Sequence, residues 1–571
     1  MRQGLGGAVA ILVVLLGACS SAAPPAGGPV PVAGSVPAAA PVRAGRVVTL
    51  PASPLTPDQQ ILHALNRLGY GPRPGDLERV RRMGLAAYIE VQLDPSDLAD
   101  PAVARALPAY PVLARSAAEL VREYPVPSPQ IRQQLASGQM TRQVVVQMYP
   151  PERRPAVITA QMQAARITRA VLSERQLEEV LVDFWFNHFN VYAQKGAVRW
   201  MLPAYEREAI RPHVLGRFRD LVLATARHPA MLFYLDNWLS TRADLVVPRG
   251  PNAGRRAGLN ENYARELMEL HTLGVDGGYS QHDVVEVARC FTGWSIDRPQ
   301  QGGGFVFRSL AHDRGEKRVL GQVIPAGGGR EDGERVIDIL VRQPATEQFI
   351  ATKLARRFVS DDPPPALVER ATATFQRTDG SIRAVLMTIF TSPEFWSAEA
   401  YRAKIKTPLE VVASAVRTLD GRLAPGGPDR GGLGDGGTAL AREVARLGEP
   451  LYEAQPPTGY PDRAESWVNT GALLGRMNFA LGLAHNRLRG ATVDLPRVVA
   501  GVDRGQPAQV LERLLVAVLH GEASPETRAV LSAQLESPEI TRVTAYDRVA
   551  KDTDVEKLAA LVLGSPEFQR R

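Results

Sequence analysis

The stretch Leu181-Val182-Asp183-Phe184-Trp185-Phe186-Asn187-His188-Phe189-Asn190-Val191 decides how this chain is expected to fold. Its apolar residues recur around every side of a helix, which places the segment inside a large helical body. Three polar residues interrupt them. Asp183, Asn187 and Asn190 stand at i, i+4 and i+7, which is one face. A buried polar stripe must be hydrogen-bonded or coordinate something. His188 falls roughly 100° further round and points elsewhere.

A second striped segment is Asn260-Glu261-Asn262-Tyr263-Ala264-Arg265-Glu266-Leu267-Met268-Glu269-Leu270-His271. Asn260 or Asn262 supplies a helix start, and Gly274 a left-handed stop. Glu261, Arg265 and Glu269 share a face, with Asn262 and Glu266 beside it. Tyr263, Leu267 and Leu270 cover the opposite face. On an ideal helix Glu266, Glu269 and His271 cannot converge on one ion, because His271 sits across from Glu269. A divalent metal here needs ligands from elsewhere, with Asp183, Asn187 and His188 as candidates.

Outward from these segments the pattern stays helical, so the expected fold class is mainly α, a multi-helical globular body. A helix starts at Thr56-Pro57-Asp58, with Pro in the first turn. Further helices are expected near 155–172, 174–192, 333–342, 347–359, 364–375, 382–391, 408–419 and 558–563. Strand signals concentrate near 302–324, where Phe305-Val306-Phe307 and Val319-Leu320-Gly321 flank a polar middle and suit a small β-hairpin or ordered loop. Two lobes, 57–300 and 330–571, with a flexible Gly/Pro/Asp-rich insertion at 421–438, are one way to divide the body. Ser392-Pro393-Glu394-Phe395 and Ser565-Pro566-Glu567-Phe568 echo each other after apolar helices. The proline-broken loop 452–462, followed by Trp467 and Asn469, is placed to lid a cleft.

The first residues carry an address. Leu16-Gly17-Ala18-Cys19 has the form of a bacterial lipobox, preceded by Arg2 and an apolar run over 6–17. That run is shorter than the roughly 20 apolar residues a spanning helix needs, so 1–19 reads as a cleaved lipoprotein signal peptide. Lipidation of Cys19, each buried methylene contributing roughly 0.8 kcal/mol, would hold the chain on a membrane. Residues 20–56 are Ala, Pro, Gly, Val and Ser with little charge, and read as a disordered tether. The expected location is therefore the bacterial cell envelope, lipid-anchored, periplasmic or surface-facing.

The chain has 571 residues, 45% of them hydrophobic and 22% charged, which is enough to build a large core. Cys19 and Cys290 are the two cysteines. With Cys19 lipidated, Cys290 has no partner, so the fold is expected to hold without an internal disulfide. The net charge of +7 is spread out, without a basic stripe or a recognisable module, so nucleic acid is not an expected partner. No phosphate loop, Gly-x-Ser-x-Gly elbow, His-Glu-x-x-His helix or Cys-x-x-Cys-His occurs, which leaves no nucleotide motif and no haem c attachment. His312-Asp313 is a pair able to orient a base, bind a metal or simply tie a turn.

Several ordered stretches together resemble the bacterial family called domain of unknown function 1800. They are His63-Ala64-Leu65-Asn66-Arg67-Leu68-Gly69-Tyr70-Gly71, the run 183–190, His228-Pro229-Ala230-Met231-Leu232 with Leu235-Asp236-Asn237, and the run 260–274. Tyr279, Asp283-Val284, Thr292-Gly293-Trp294, His312-Asp313 with Lys317 and Leu320-Gly321, and Lys406-Thr407-Pro408-Leu409-Glu410 extend the resemblance. It implies an exported, largely helical protein of unestablished activity, and supplies no catalytic residues. Relatives often neighbour an exported family resembling sulfatases and alkaline phosphatases, which implies such a partner.

Two functions stand open. In the first the chain is an envelope hydrolase acting on a polymer or glycan. Glu266, Glu269 and Asp183 would be catalytic, with a carboxyl pKa raised by its neighbour. Asn187, Asn190, Asn262, Arg265, His188, His271, His312 and Asp313 would bind. In the second it is a non-catalytic assembly or binding protein, and the stripes form an internal brace around Arg265.

Overall fold

In a computed structural model the described residues are 48–571, apart from 126, 247–253, 255–257, 425–435, 538, 539 and 541–551. The lipobox, Cys19 and most of the expected tether lie outside them, as does most of the expected insertion at 421–438. Val48–Arg571 is one compact unit. The body begins before Thr56. Val48 N–H donates to Glu90 (3.0 Å), Ser53 Oγ donates to the Trp396 carbonyl (2.7 Å) and Leu55 is buried, so the tether read as far as 56 loses its last residues to the body.

The fold is mainly α. Helix Pro57–Arg67 starts where the Thr-Pro-Asp signal places it, with Thr56 and Gln59 capping each other reciprocally. The same reciprocal cap opens Gln281–Phe291 through Ser280 and Asp283, and Pro408–Thr418 through Thr407 and Glu410. Helix Ala156–Leu172 packs on Gly436–Arg446 and Pro408–Thr418. Pro344–Phe358, Pro365–Arg377 and Ile382–Phe390 stack in turn, and Thr470–Ala484 lies on Val555–Leu563. One hydrophobic core draws on residues from Ile61 to Phe568 and so takes in both halves of the body.

Short antiparallel pairs are the only strands among the described residues. Phe305–Phe307 pairs with Trp294–Ile296, and Lys317–Val319 with Gln322–Ile324 around Leu320-Gly321. The region expected to hold one hairpin therefore holds one complete hairpin, Lys317–Ile324, and one strand of another pair, whose partner strand follows Thr292-Gly293. Gly293 adopts φ +78, and a Cβ there would stand 2.6 Å from the Arg308 carbonyl. The Ser-Pro-Glu-Phe echo is a shared turn. Ser392 Oγ accepts from Phe395 N–H (3.2 Å) and Ser565 Oγ from Phe568 N–H (3.3 Å), and each turn buries its Phe.

The Gln176–His188 helix is buried along most of its length. Trp185 is fully buried among Phe184, Phe189 and Phe218, and its indole N–H donates to the Val214 carbonyl (3.2 Å). This aromatic packing fixes the helix's rotation, and with it the direction in which the polar stripe faces.

Candidate functional site

The Asp183 stripe keeps its single face, and that face meets the 452–462 loop and a buried arginine. Asn187 is clamped to Tyr460: its Nδ2 donates to the Tyr460 carbonyl and its Oδ1 accepts from Tyr460 N–H, both at 2.7 Å. Gly459 packs so closely here (φ +67) that a Cβ would meet Asn187 Oδ1 at 2.3 Å. Asn190, past the helix end, donates to the carbonyls of Ala454 and Pro456, each at 2.9 Å. Both amides thus satisfy backbone groups of a loop that has no regular structure of its own.

Asp183 accepts from Arg166 Nη1 (3.0 Å). Arg166 comes from the Ala156–Leu172 helix, and its side chain is only 2% exposed. Its other donors reach Glu206 (2.8 Å) and Tyr452 Oη (3.0 Å), and Tyr452 in turn donates to Glu206 (2.6 Å). Glu206 also accepts from Arg211 (3.2 Å), which forks onto Glu179 at 2.8 and 2.9 Å. Burial acts against the Glu206 carboxylate, but Arg166, Arg211 and Arg169 hold it far below the ordinary carboxylate range. Glu206 lies in a π-helical turn, Tyr205–Ile210, that continues helix Val198–Ala204.

A cavity of about 630 Å³, counting its open mouth, lies over this network. Asp183, Arg166, Arg357, Glu449, Tyr452 and Tyr460 are in its wall, with Trp467 at one side. Glu449 is buried and accepts from Leu409 N–H (2.8 Å). Burial first, and the Asp183 carboxylate second, push its carboxyl up to about 8. Asp183 is raised too, by burial, against the pull of Arg166 and Arg357. Arg357 pairs with Glu410 (2.8 Å), which also faces Arg571 (3.1 Å). The cavity therefore joins two carboxyls of raised proton affinity to two fixed guanidinium groups.

The second striped segment lies apart from this cavity. Glu266 and Glu269 are not in its wall, and Arg265 is 40% exposed, bonded to Glu261 (3.3 Å) and Gln281 (2.8 Å). Asn262 is exposed and donates to the Leu235 carbonyl (3.2 Å). Asn260 provides the start, accepting from Asn262 N–H (2.9 Å), and Gly274 closes the segment at φ +85. The two stripes do not form one pocket, and the brace expected around Arg265 is built around Arg166. Beyond Glu266 the helix rewinds as a π-turn, Leu267–Thr272, so angles from an ideal wheel no longer hold. Burial and the neighbouring Glu269 raise Glu266, and Glu269 accepts from Tyr279 Oη (3.4 Å).

His188 and His271, both named as binding candidates, are brought together. His188 Nε2 meets the His271 carbonyl at 3.1 Å, and the rings stand 6.1 Å apart. Burial keeps both neutral, lowering His271 to about 3. His312 belongs to a different cluster: its Nε2 is 3.2 Å from Asp332, which also holds Lys317 at 2.6 Å, and all three side chains are sealed from solvent. Asp313 pairs with Arg289 (2.8 Å). The His-Asp pair ties the hairpins to helix Glu331–Val341 and lines neither the Asp183 cavity nor its neighbours. Among the described residues no three His, Cys, Asp or Glu side chains are arranged to hold a metal ion. Nor is any helix among them long and apolar enough to cross a membrane.

Sequence reasoning missed Arg166, Glu206, Arg357 and Glu449. Arg166 was detectable as a charge amid Ala164, Ala165 and Ile167. Glu410 entered only through the family resemblance, in Lys406-Thr407-Pro408-Leu409-Glu410. Glu449, in Gly448-Glu449-Pro450, carries no periodic signal.

A family model described as Protein of unknown function (DUF1800) matches residues 63–570, so the chain belongs to that family. No curated protein and no solved structure matches it.

Proposed function

We propose that this member of the family is an envelope hydrolase whose working centre is the Asp183–Glu449 cavity, acting on a polymer or glycan. The observation that carries the reading is the pairing of two carboxyls in one cavity, both raised, one of them to about 8, beside Arg166 and Arg357. A carboxyl that keeps its proton at neutral pH is a general acid, and a positioned acid or base contributes on the order of 10² to 10⁴ in rate. Glu449 protonates the leaving oxygen, and Asp183 takes the proton of the attacking water. In this reading Glu449 replaces Glu266 and Glu269 as partner of Asp183.

The test is release of reducing ends or soluble fragments from envelope polysaccharides and peptidoglycan by the purified full chain. Wild-type activity, lost by about 10²-fold or more in Glu449→Gln at a melting temperature no lower than that of wild type, supports the reading. A wild type that releases nothing, or variants at 449 and 183 that match it, overturns it.

A second reading rests on a specific feature, the closed set of bonds among Arg166, Asp183, Glu206, Arg211 and Tyr452. As a brace alone this set would make the chain a non-catalytic assembly or binding protein, with a sulfatase- or phosphatase-like partner. The location is part of the same proposal: Cys19→Ser should release the chain from the membrane fraction.

A further inference from the structure

On the far side of the Tyr460–Asp462 segment lies a second cavity, of about 670 Å³ with its open mouth counted. It shares Phe184, Asn187, Tyr460, Pro461 and Asp462 with the first, so one strip of chain separates the two spaces. Its own contribution is cationic: Lys353, Arg356 and Arg463 line it. The acid that faces it, Asp462, is paired through Oδ1 with Lys404 (3.0 Å) and Arg357 (4.0 Å), and its Oδ2 is buried without a hydrogen-bond partner. Arg463 is paired with Asp362 (3.1 Å), and Arg356 donates to the Asp361 carbonyl (2.9 Å). Lys353 is different. Its ammonium stands 5.4 Å from the centre of the Phe349 ring, and among the described residues no carboxylate or carbonyl accepts from it. His188, in the same wall, leaves Nδ1 buried without a partner.

A half-buried ammonium without a hydrogen-bonded acceptor among the described residues, in an open cavity where cations outnumber acids, has room and charge for one anion. We infer that the Lys353 cavity binds an oxyanion group, and that the group belongs to the substrate. The polymer cleaved at Asp183–Glu449 would then carry a phosphate, sulfate or carboxylate close to the bond that breaks. Only the link to the substrate rests on the hydrolase reading; the anion site stands on its own geometry. Burial draws the Lys353 ammonium down to about 8, against the pull of Asp462 and with that of Arg356, and a docked oxyanion offsets that burial. Asn187 belongs to both walls, so one side chain positions the strip between the anion and the acid pair.

The experiment uses the full chain in detergent at pH 7. Melting temperature and calorimetric binding are measured with inorganic phosphate and sulfate, against potassium chloride at matched ionic strength, and with acetate to separate carboxylate from the larger oxyanions. Wild type should be stabilised by at least one oxyanion beyond the chloride control. Lys353→Met should bind it at least about tenfold more weakly, and Lys353→Arg should keep most of the binding. Asp183→Asn should bind as wild type does, so a failed hydrolase reading leaves this result standing. An oxyanion no better than chloride, or an undiminished effect in Lys353→Met, overturns the site. If Lys353→Met does not fold, the wild-type comparison with chloride and the Lys353→Arg variant still decide.

Discussion

Two helical segments of this chain look alike on paper and behave differently in the fold. Residues 181–191 and 260–271 each set carboxylates and amides on one face of an otherwise greasy run. The first turns that face inward, onto Arg166 and the backbone of the 452–462 loop. The second turns its stripe outward, where Arg265 meets Glu261 and Gln281 at a half-exposed surface. The difference lies in the partners. An inward carboxylate needs a buried cation brought from another element, and helix Ala156–Leu172 brings one to Asp183. The lysine that acts on the inner side of the second segment, Lys353, bears on His271, while Glu266 has Glu269 and the half-exposed Arg265 beside it.

The comparison can be broken most forcefully at the two arginines. Arg166→Met strands Glu206 and Asp183 without their shared cation, and should destabilise the fold by about 3–5 kcal/mol. Arg265→Met removes a half-exposed ion pair and should stay within about 0.5 kcal/mol. Denaturant unfolding of both variants checks this, and similar losses would erase the distinction.

A smaller effect follows from Glu449. Its folded pKa lies above the ordinary value of 4.5, at about 8. Across that window the native state holds a proton that the unfolded chain releases, so this group's stabilisation is complete below about 4.5 and is lost as pH rises toward 8. Melting temperature as a function of pH should therefore fall less steeply over this range in Glu449→Gln. His271 and His228 act in the opposite sense: burial holds both at about 3, so their contribution is present above their ordinary 6.5 and lost as the pH falls below it. The difference between variant and wild type isolates the carboxyl.

Smaller again, Asn187→Leu leaves the Tyr460 N–H and carbonyl without their partner. It should cost about 1–3 kcal/mol and speed hydrogen exchange at Tyr460. Smallest of all, Glu266→Gln should change stability by no more than about 0.5 kcal/mol. A drop as large as that of Asn187→Leu would show that Glu266 is held as tightly as the inner stripe.

Much of the fold was legible in the chain. Helix periods and caps placed Pro57–Arg67, Ala156–Leu172 and Pro408–Thr418 within a few residues, because caps and apolar spacing are local. The one-sided stripe of Asp183, Asn187 and Asn190 was legible for the same reason. The hairpins were half legible: Phe305–Phe307 reads as a strand, but its partner Trp294–Ile296 is fully buried and too short to show alternation. His188 and His271 gave no sign of meeting, since their contact depends on a π-turn and on how two distant segments pack. The Asp183–Glu449 pairing was not legible at all, because Glu449 lies in an aperiodic turn far along the chain.

The sequence by itself determined that this is a helical body of one family, and which face of each helix is polar, because periodicity and capping are properties of neighbours along the chain. Tertiary structure alone decided which polar face is buried and which cation meets it. It also decided that Asp183 shares a cavity with Glu449 rather than with Glu266. Desolvation and ion pairing depend on groups hundreds of residues apart, and their distance is set only when the core closes around Trp185.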